Sequence, residues 1–192
     1  MKRFLFLFLI FFSLSAGAAP IPSDALVIRF LTHLQKMTLR FDQTKTIPEI
    51  EKPFKSSGIF QFEKGKGLII KQEHPTSQAF VSTLERYCVG DKSDSLENLP
   101  HFSDAKLLMD HLLQGDLSDL NKIFEIIYFE KNKTWQMDMI PSDKDMKAFI
   151  RKIVLKGNIN HLKQVIIEYA DGTHMQIDYS PVQQDLTHEI KC

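Results

Sequence analysis

The chain has 192 residues, 43% of them hydrophobic, with 24 lysines and arginines set against 24 aspartates and glutamates. A balanced charge gives no reason to expect nucleic acid or an anionic membrane surface as a partner. The length suits one domain with a sizeable core, and no internal repeat or low-complexity tract divides it.

Residues 1–18, MKRFLFLFLIFFSLSAGA, predict an export signal. Lys2 and Arg3 give a positive start, and Ala16-Gly17-Ala18 is a small-residue cleavage site. The apolar run from Phe4 to Phe12 is well short of the ~20 residues of a spanning helix. Cleavage is expected after Ala18 or Ala19, which makes residues 19–192 a single domain of 174 residues. Without Lys2 and Arg3 the balance becomes 22 basic against 24 acidic side chains. In a diderm bacterium the expected address is the periplasm.

Ser23-Asp24 is an N-cap pair, and Leu26, Val27, Phe30, Leu31 and Leu34 follow at helical spacing, predicting a helix to about Met37. The period then drops to two, with Leu39, Phe41 and Gln43 alternating with polar neighbours. Residues 53–75 predict two strands around the basic turn Lys64-Gly65-Lys66-Gly67, with Phe60 and Phe62 on one side and Leu68 and Ile70 likewise. SQAFVSTLERYCV, which contains Phe80, predicts one further strand or two. Residues 91–102 are polar and predict a turn; a calcium loop is excluded because the sixth-position glycine and twelfth-position glutamate are missing.

Ser103-Asp104 caps a second predicted helix, with Ala105, Leu108, Met109 and Leu112 on one face and Gly115 ending it. KIFEIIYFE and TWQMDMIP predict a hairpin, and Ser142-Asp143-Lys144-Asp145 a short helical turn. IRKIVLKG, LKQVIIEYA and THMQIDYS follow, the last two joined by Asp171-Gly172, the strongest hairpin signal in the chain. The sum is nine or ten strands and two substantial helices, an α+β fold with an antiparallel, meandering sheet covered on one face by the helices.

The seven histidines have no close metal-ligand spacing, and no nucleophile elbow or phosphate loop is present. The expectation is a protein without catalytic residues, metal or cofactor. Cys88 and Cys192 are the only cysteines, either a disulfide or two unpaired thiols. What stands out is the apolar period-two set Phe60/Phe62, Leu68/Ile70, Trp135/Met137/Met139, Val165/Ile167/Tyr169 and Met175/Ile177/Tyr179. From periodicity alone it fits either a plain core beneath two helices or the lining of a ligand cavity.

Three patterns in order carry a resemblance: the first helix running into MTLRFDQTKT, then SSGIFQFEKGKGLIIKQEHP, then LLQGDLSDLNKIFEI with TWQMDMIPSDKDMKAFIRKIVLKG and the Asp-Gly hairpin. Together they resemble the outer-membrane lipoprotein carrier (LolA-like) family, closest to a divergent branch associated with envelope lipid pathways. The resemblance implies a strongly curved, incomplete antiparallel β-barrel covered by two or three helices. It implies that Leu39, Phe41, Phe60, Phe62, Leu68, Ile70, Phe80, Trp135, Met137, Met139, Val165, Ile167, Tyr169, Met175 and Ile177 line a space for acyl chains. The implied partners are an acylated lipoprotein or envelope lipid, an inner-membrane donor and an outer-membrane acceptor, served by a monomer that binds no nucleic acid. Lys64 stands where the family usually has an arginine that latches the helical lid, and the family's tryptophan is replaced near Ile70. A lysine has no planar fork, so such a latch would be less directional.

Overall fold

The computed structural model describes residues 25–83, 86–89, 92–95 and 120–182. The predicted signal, the Ser23-Asp24 cap, the helix expected at 103–115 and Cys192 lie outside the described residues. Eleven strands form one antiparallel sheet: β1 (Lys36–Thr46), β2 (Phe54–Glu63), β3 (Gly67–His74), β4 (Gln78–Ser82), β5 (Arg86–Val89), β6 (Lys92–Ser95), β7 (Phe124–Lys131), β8 (Thr134–Pro141), β9 (Ile150–Asn158), β10 (Leu162–Tyr169) and β11 (His174–Pro181). Among the described residues three short helices accompany them: α1 (Leu26–His33), α2 (Leu120–Ile123) and α3 (Lys144–Lys147).

The strand order is β6-β5-β4-β3-β2-β1-β11-β10-β9-β8-β7. The chain therefore enters at the middle, meanders to the β6 edge, reappears at the β7 edge and meanders back until β11 pairs with β1. The two edges are not joined, so the sheet is an incomplete barrel. Sequential strands meet through short turns wherever the local chemistry allows a tight reversal. Asn132 and Lys133 both adopt positive φ in the β7–β8 turn, a geometry that suits a two-residue hairpin. Gly172 takes φ +84° between β10 and β11, where Asp171 Oδ1 accepts the Thr173 N–H at 2.8 Å.

The structure corrects three expectations. The first helix ends at His33, because Met37 already belongs to β1 and alternates with Leu39. Residues Lys92–Ser95, expected in a polar turn, pair antiparallel with β5 as the edge strand. At an edge only one side of a strand needs a partner, so its polarity is no obstacle. Lys122 and Ile123, expected to open a strand, close α2 instead. The helical turn expected near Asp143 is α3, where Asp143 Oδ1 accepts the N–H groups of Asp145 and Met146 at 2.9 and 3.0 Å.

Candidate functional site

The register across the sheet decides which side chains share a face, because directly paired residues point the same way. Phe62 pairs with Met37 on one side and Leu68 on the other, and Phe60 with Leu39 and Ile70. Ile70 pairs onward with Phe80. In the other direction Phe41 pairs with Tyr179, Ile177 with Val165, Met175 with Ile167, Val165 with Leu155, and Leu155 with Met137. One continuous apolar inner face thus spans the sheet, and all fifteen predicted lining residues fall on elements that contribute to it.

That face is not uniform. Beneath α1 it is packed solid: Val27, Phe30 and Leu31 meet Trp135, Met137, Met139, Phe124 and Leu155, and both methionines are fully inaccessible. Trp135 stacks at a tilt on Phe30, with 5.6 Å between ring centroids, and donates Nε1–H to the Asn158 carbonyl at 3.0 Å. A second cluster, Phe41, Phe60, Phe62 and Leu68, lies over β1–β3, with Leu34 and Met37 touching both clusters. Phe60 meets Tyr179 edge to face at 5.7 Å. Burial pushes the Tyr179 hydroxyl well above its ordinary titration range.

Between the two clusters runs a seam on β10 and β11. Val165, Ile167, Tyr169, Met175 and Ile177 are all half-buried there; the β9 partners Ile153 and Leu155 are buried, while the β1 partners Gln43 and Lys45 are themselves half-buried. Lys45 Nζ sits 6.0 Å from the centre of the Tyr169 ring at one end of this seam. Across the sheet, Phe80 is half-buried and Ile70 is 37% exposed. The predicted lining set therefore divides into residues immobilised in core and residues with free surface. Leu39, Phe41, Phe60, Phe62, Leu68, Trp135, Met137 and Met139 belong to the first; the seam, Phe80 and Ile70 belong to the second.

A cleft of about 460 Å³ lies away from this face, around Phe129, Lys131, Gln136, Lys156 and Gln164. Part of its wall comes from the outer face, where Gln136, Lys156, Gln164 and Asp178 form one register row, and part from Trp135 and Gly157. Lys156 Nζ donates to Gln164 Oε1 at 3.1 Å, and Gln164 Nε2 donates to Asp178 Oδ1 at 2.6 Å. The ladder is satisfied by its own members, and Phe129 and Trp135 add apolar surface to the cleft wall.

The Lys64 side chain is exposed, and no ion pair engages it among the described residues. Its backbone N–H donates to the Gln35 carbonyl at 2.8 Å, which ties the β2–β3 turn to the segment that follows α1. Cys88 is buried and disulfide-bonded.

Periodicity did not reveal Phe124, Ile126, Ile153 and Leu155, which also sit in the inner face. In IRKIVLKG three apolar residues run consecutively, so alternation could not say which side Ile153, Val154 and Leu155 take. The register puts Val154 on the outer face.

The chain has distant matches among solved structures. It is 11% identical to the LolA superfamily protein NE2245 from Nitrosomonas europaea, over 84% of this chain and 92% of that one, with a TM-score of 0.42. A DUF1329 family protein from Desulfovibrio piger matches at 11% identity, over 85% of this chain and 92% of that one, with a TM-score of 0.43. The Pseudomonas aeruginosa MucA/MucB complex matches at 12% identity, over 85% of this chain and 58% of that chain, with a TM-score of 0.43. No family model and no curated protein matches the sequence.

Proposed function

We propose that this protein is an exported, non-enzymatic carrier: it shelters acyl chains of a lipoprotein or another envelope lipid against the inner face of its half-barrel and conveys them across the periplasm towards the outer membrane. The half-buried seam of Val165, Ile167, Met175 and Ile177, set between two packed clusters, carries this reading. Like Ile70 and Phe80, it keeps apolar surface without being locked into core. Hiding a methylene from water is worth about 0.8 kcal/mol, so ten of them supply roughly 8 kcal/mol before ordering costs. That is enough to hold an acyl chain and little enough to surrender it to an acceptor, with no bond broken. Movement of a covering helix would let one site load and unload.

The solid packing beneath α1 favours a second reading, an envelope interaction module whose half-barrel is closed on its own side chains and binds a partner through its rim. Mass spectrometry of lipid extracted from gently purified protein, paired with uptake of a fluorescent acyl probe, separates the two. The carrier requires co-purified acyl lipid and saturable uptake displaced by natural lipid. Lipid-free protein that ignores the probe leaves the module.

A further inference from the structure

The two edges of the sheet differ. β6 offers four polar residues, Lys92–Ser95. β7 offers eight, Phe124–Lys131, with Ile127 half-buried and Phe129 53% exposed. A long edge strand with apolar side chains is a template for another strand unless something blunts it. The register of β7 fixes which of its backbone groups are open. The tight β7–β8 turn, with positive φ at Asn132 and Lys133, makes Lys131 and Thr134 a hydrogen-bonded pair. Beyond the other end of β7, Ser142 N–H donates to the Ile123 carbonyl at 2.7 Å, which gives the same parity. The odd-numbered residues of β7 therefore direct their backbone groups at β8, and Ile126, Tyr128 and Glu130 turn theirs outward. No hydrogen bond engages those outward backbone groups among the described residues.

We infer that a second copy of this chain adds its own β7 antiparallel to this edge, giving a two-fold dimer with one continuous sheet. Charge and apolar complementarity within β7 carry the assignment. Outward-turned residues must lie opposite one another, which allows registers centred on Tyr128 or on residues one place to either side. Centred on Tyr128, Glu125 lies opposite Lys131 of the second copy and Ile127 lies opposite its Phe129, and symmetry makes each pair occur twice. These four residues share the outer face, since they alternate along the strand and Phe129 pairs with Gln136 of the outer row. A register centred on Ile127 sets Glu125 against Phe129, and one centred on Phe129 sets Ile127 against Lys131. Of the three, the Tyr128 register alone matches opposite charges and joins apolar to apolar. No ion pair engages Glu125 or Lys131 among the described residues, so both are available. The Ile127–Phe129 contact is of the non-hydrogen-bonded kind, with Cα atoms about 4.5 Å apart, where side chains approach most closely.

A single strand pair covers less than the roughly 1,600 Å² of a standard interface, so monomer and dimer exchange with protein concentration. Backbone hydrogen bonds hold the pair together, and the two charge pairs fix its register. This replaces the monomer that the family resemblance implies, and it stands whether or not the inner face carries lipid.

The test uses the whole protein in solution. Sedimentation velocity over a concentration series should show a reversible monomer–dimer equilibrium. Association should weaken about tenfold in Glu125→Lys and in Lys131→Glu, where like charges replace opposite ones in two pairs. The double variant Glu125→Lys/Lys131→Glu restores both pairs with their signs exchanged and should recover wild-type association. Both positions are exposed, so circular dichroism should be unchanged in all three. Register is read by diamide crosslinking: a mixture of Ile127→Cys and Phe129→Cys should yield covalent dimer well above either variant alone. A protein that stays monomeric at every concentration leaves the edge to water or to a strand of a different protein, and the inference fails. A dimer that ignores the charge reversals, is not rescued by the double variant, or crosslinks best through Ile127→Cys alone uses another surface or register and overturns it equally.

Discussion

The indole of Trp135 lies directly on Gly157 of the neighbouring strand. A Cβ added at Gly157 would fall 2.4 Å from Cζ2 of that ring, closer than any real contact allows. On its other side the indole meets Phe30 of α1, so the aromatic pair and the bare glycine together set how near the helix approaches the sheet. Gly157→Ala should push the ring towards Phe30 and cost about 1–3 kcal/mol, the usual range for overpacking a core. Trp135 is the chain's single tryptophan, so the same variant should shift its emission to the red as the ring loses cover. Denaturant unfolding and an emission spectrum check both; an unchanged midpoint and spectrum would show that α1 is not seated through this ring.

Seam and core should respond differently to the same insult. Ile177→Lys places a charge at a half-buried position whose ammonium can reach water along its flexible stem. The domain should remain folded by circular dichroism while acyl-probe affinity drops about tenfold or more, because bound lipid would have to bury that charge. Met137→Lys places the charge where nothing is accessible and should unfold the domain outright. A folded Ile177→Lys protein that binds the probe as well as wild type would move the site away from β11.

The alternating strands show why much of this fold is legible in sequence. Trp135, Met137 and Met139 keep strict period two between polar neighbours, and the structure places all three in the inner face. Asp171-Gly172 marks a tight hairpin because its backbone needs positive φ, and β10 and β11 do meet there. The division of that face into packed clusters and an open seam is not local information. Val165 and Met137 both fall on the inner face, yet one is half-buried and the other sealed. The buried outer row was hidden for a related reason. Ile59, Gln61 and Ile69 are buried on the outer face of β2 and β3, and alternation along a single strand carries no signal of that burial.

The cap of α3 gives an acid-side prediction. Backbone N–H groups, chiefly that of Met146, hold the Asp143 carboxyl below its ordinary titration range. A lowered carboxylate pKa adds stability that is present above the unfolded value, near ~4, and is lost as pH falls through the folded value. At neutral pH Asp143→Ala should therefore melt a few degrees below wild type, and the gap should narrow in acid. Asp143→Asn, which keeps an acceptor but no charge, should lie between them with little pH dependence. A gap that persists undiminished at the lowest pH would assign the loss to packing instead of the cap.

The alkaline side tests how α1 is fastened at its start. Glu130 Oε2 accepts the Leu26 N–H at 3.2 Å and the Tyr128 hydroxyl at 2.5 Å, so one carboxylate ties the first turn of the helix to β7. Burial, then the hydrogen bond to Glu130 and its charge, push the Tyr128 phenol from its ordinary value near 10 up to about 12. A phenol whose folded pKa is raised contributes stability that is complete below pH 10 and disappears as pH climbs from 10 to 12. Wild type should therefore lose stability more steeply over that interval than Tyr128→Phe, which has no proton to release. The phenolate absorbance titration, taken as wild type minus Tyr128→Phe, should centre near 12 and move down in Glu130→Gln, where the carboxylate charge is gone. A difference titration centred near 10 in both backgrounds would mean that Tyr128 and Glu130 are not joined in solution, and that α1 is held at its N-terminus by packing alone.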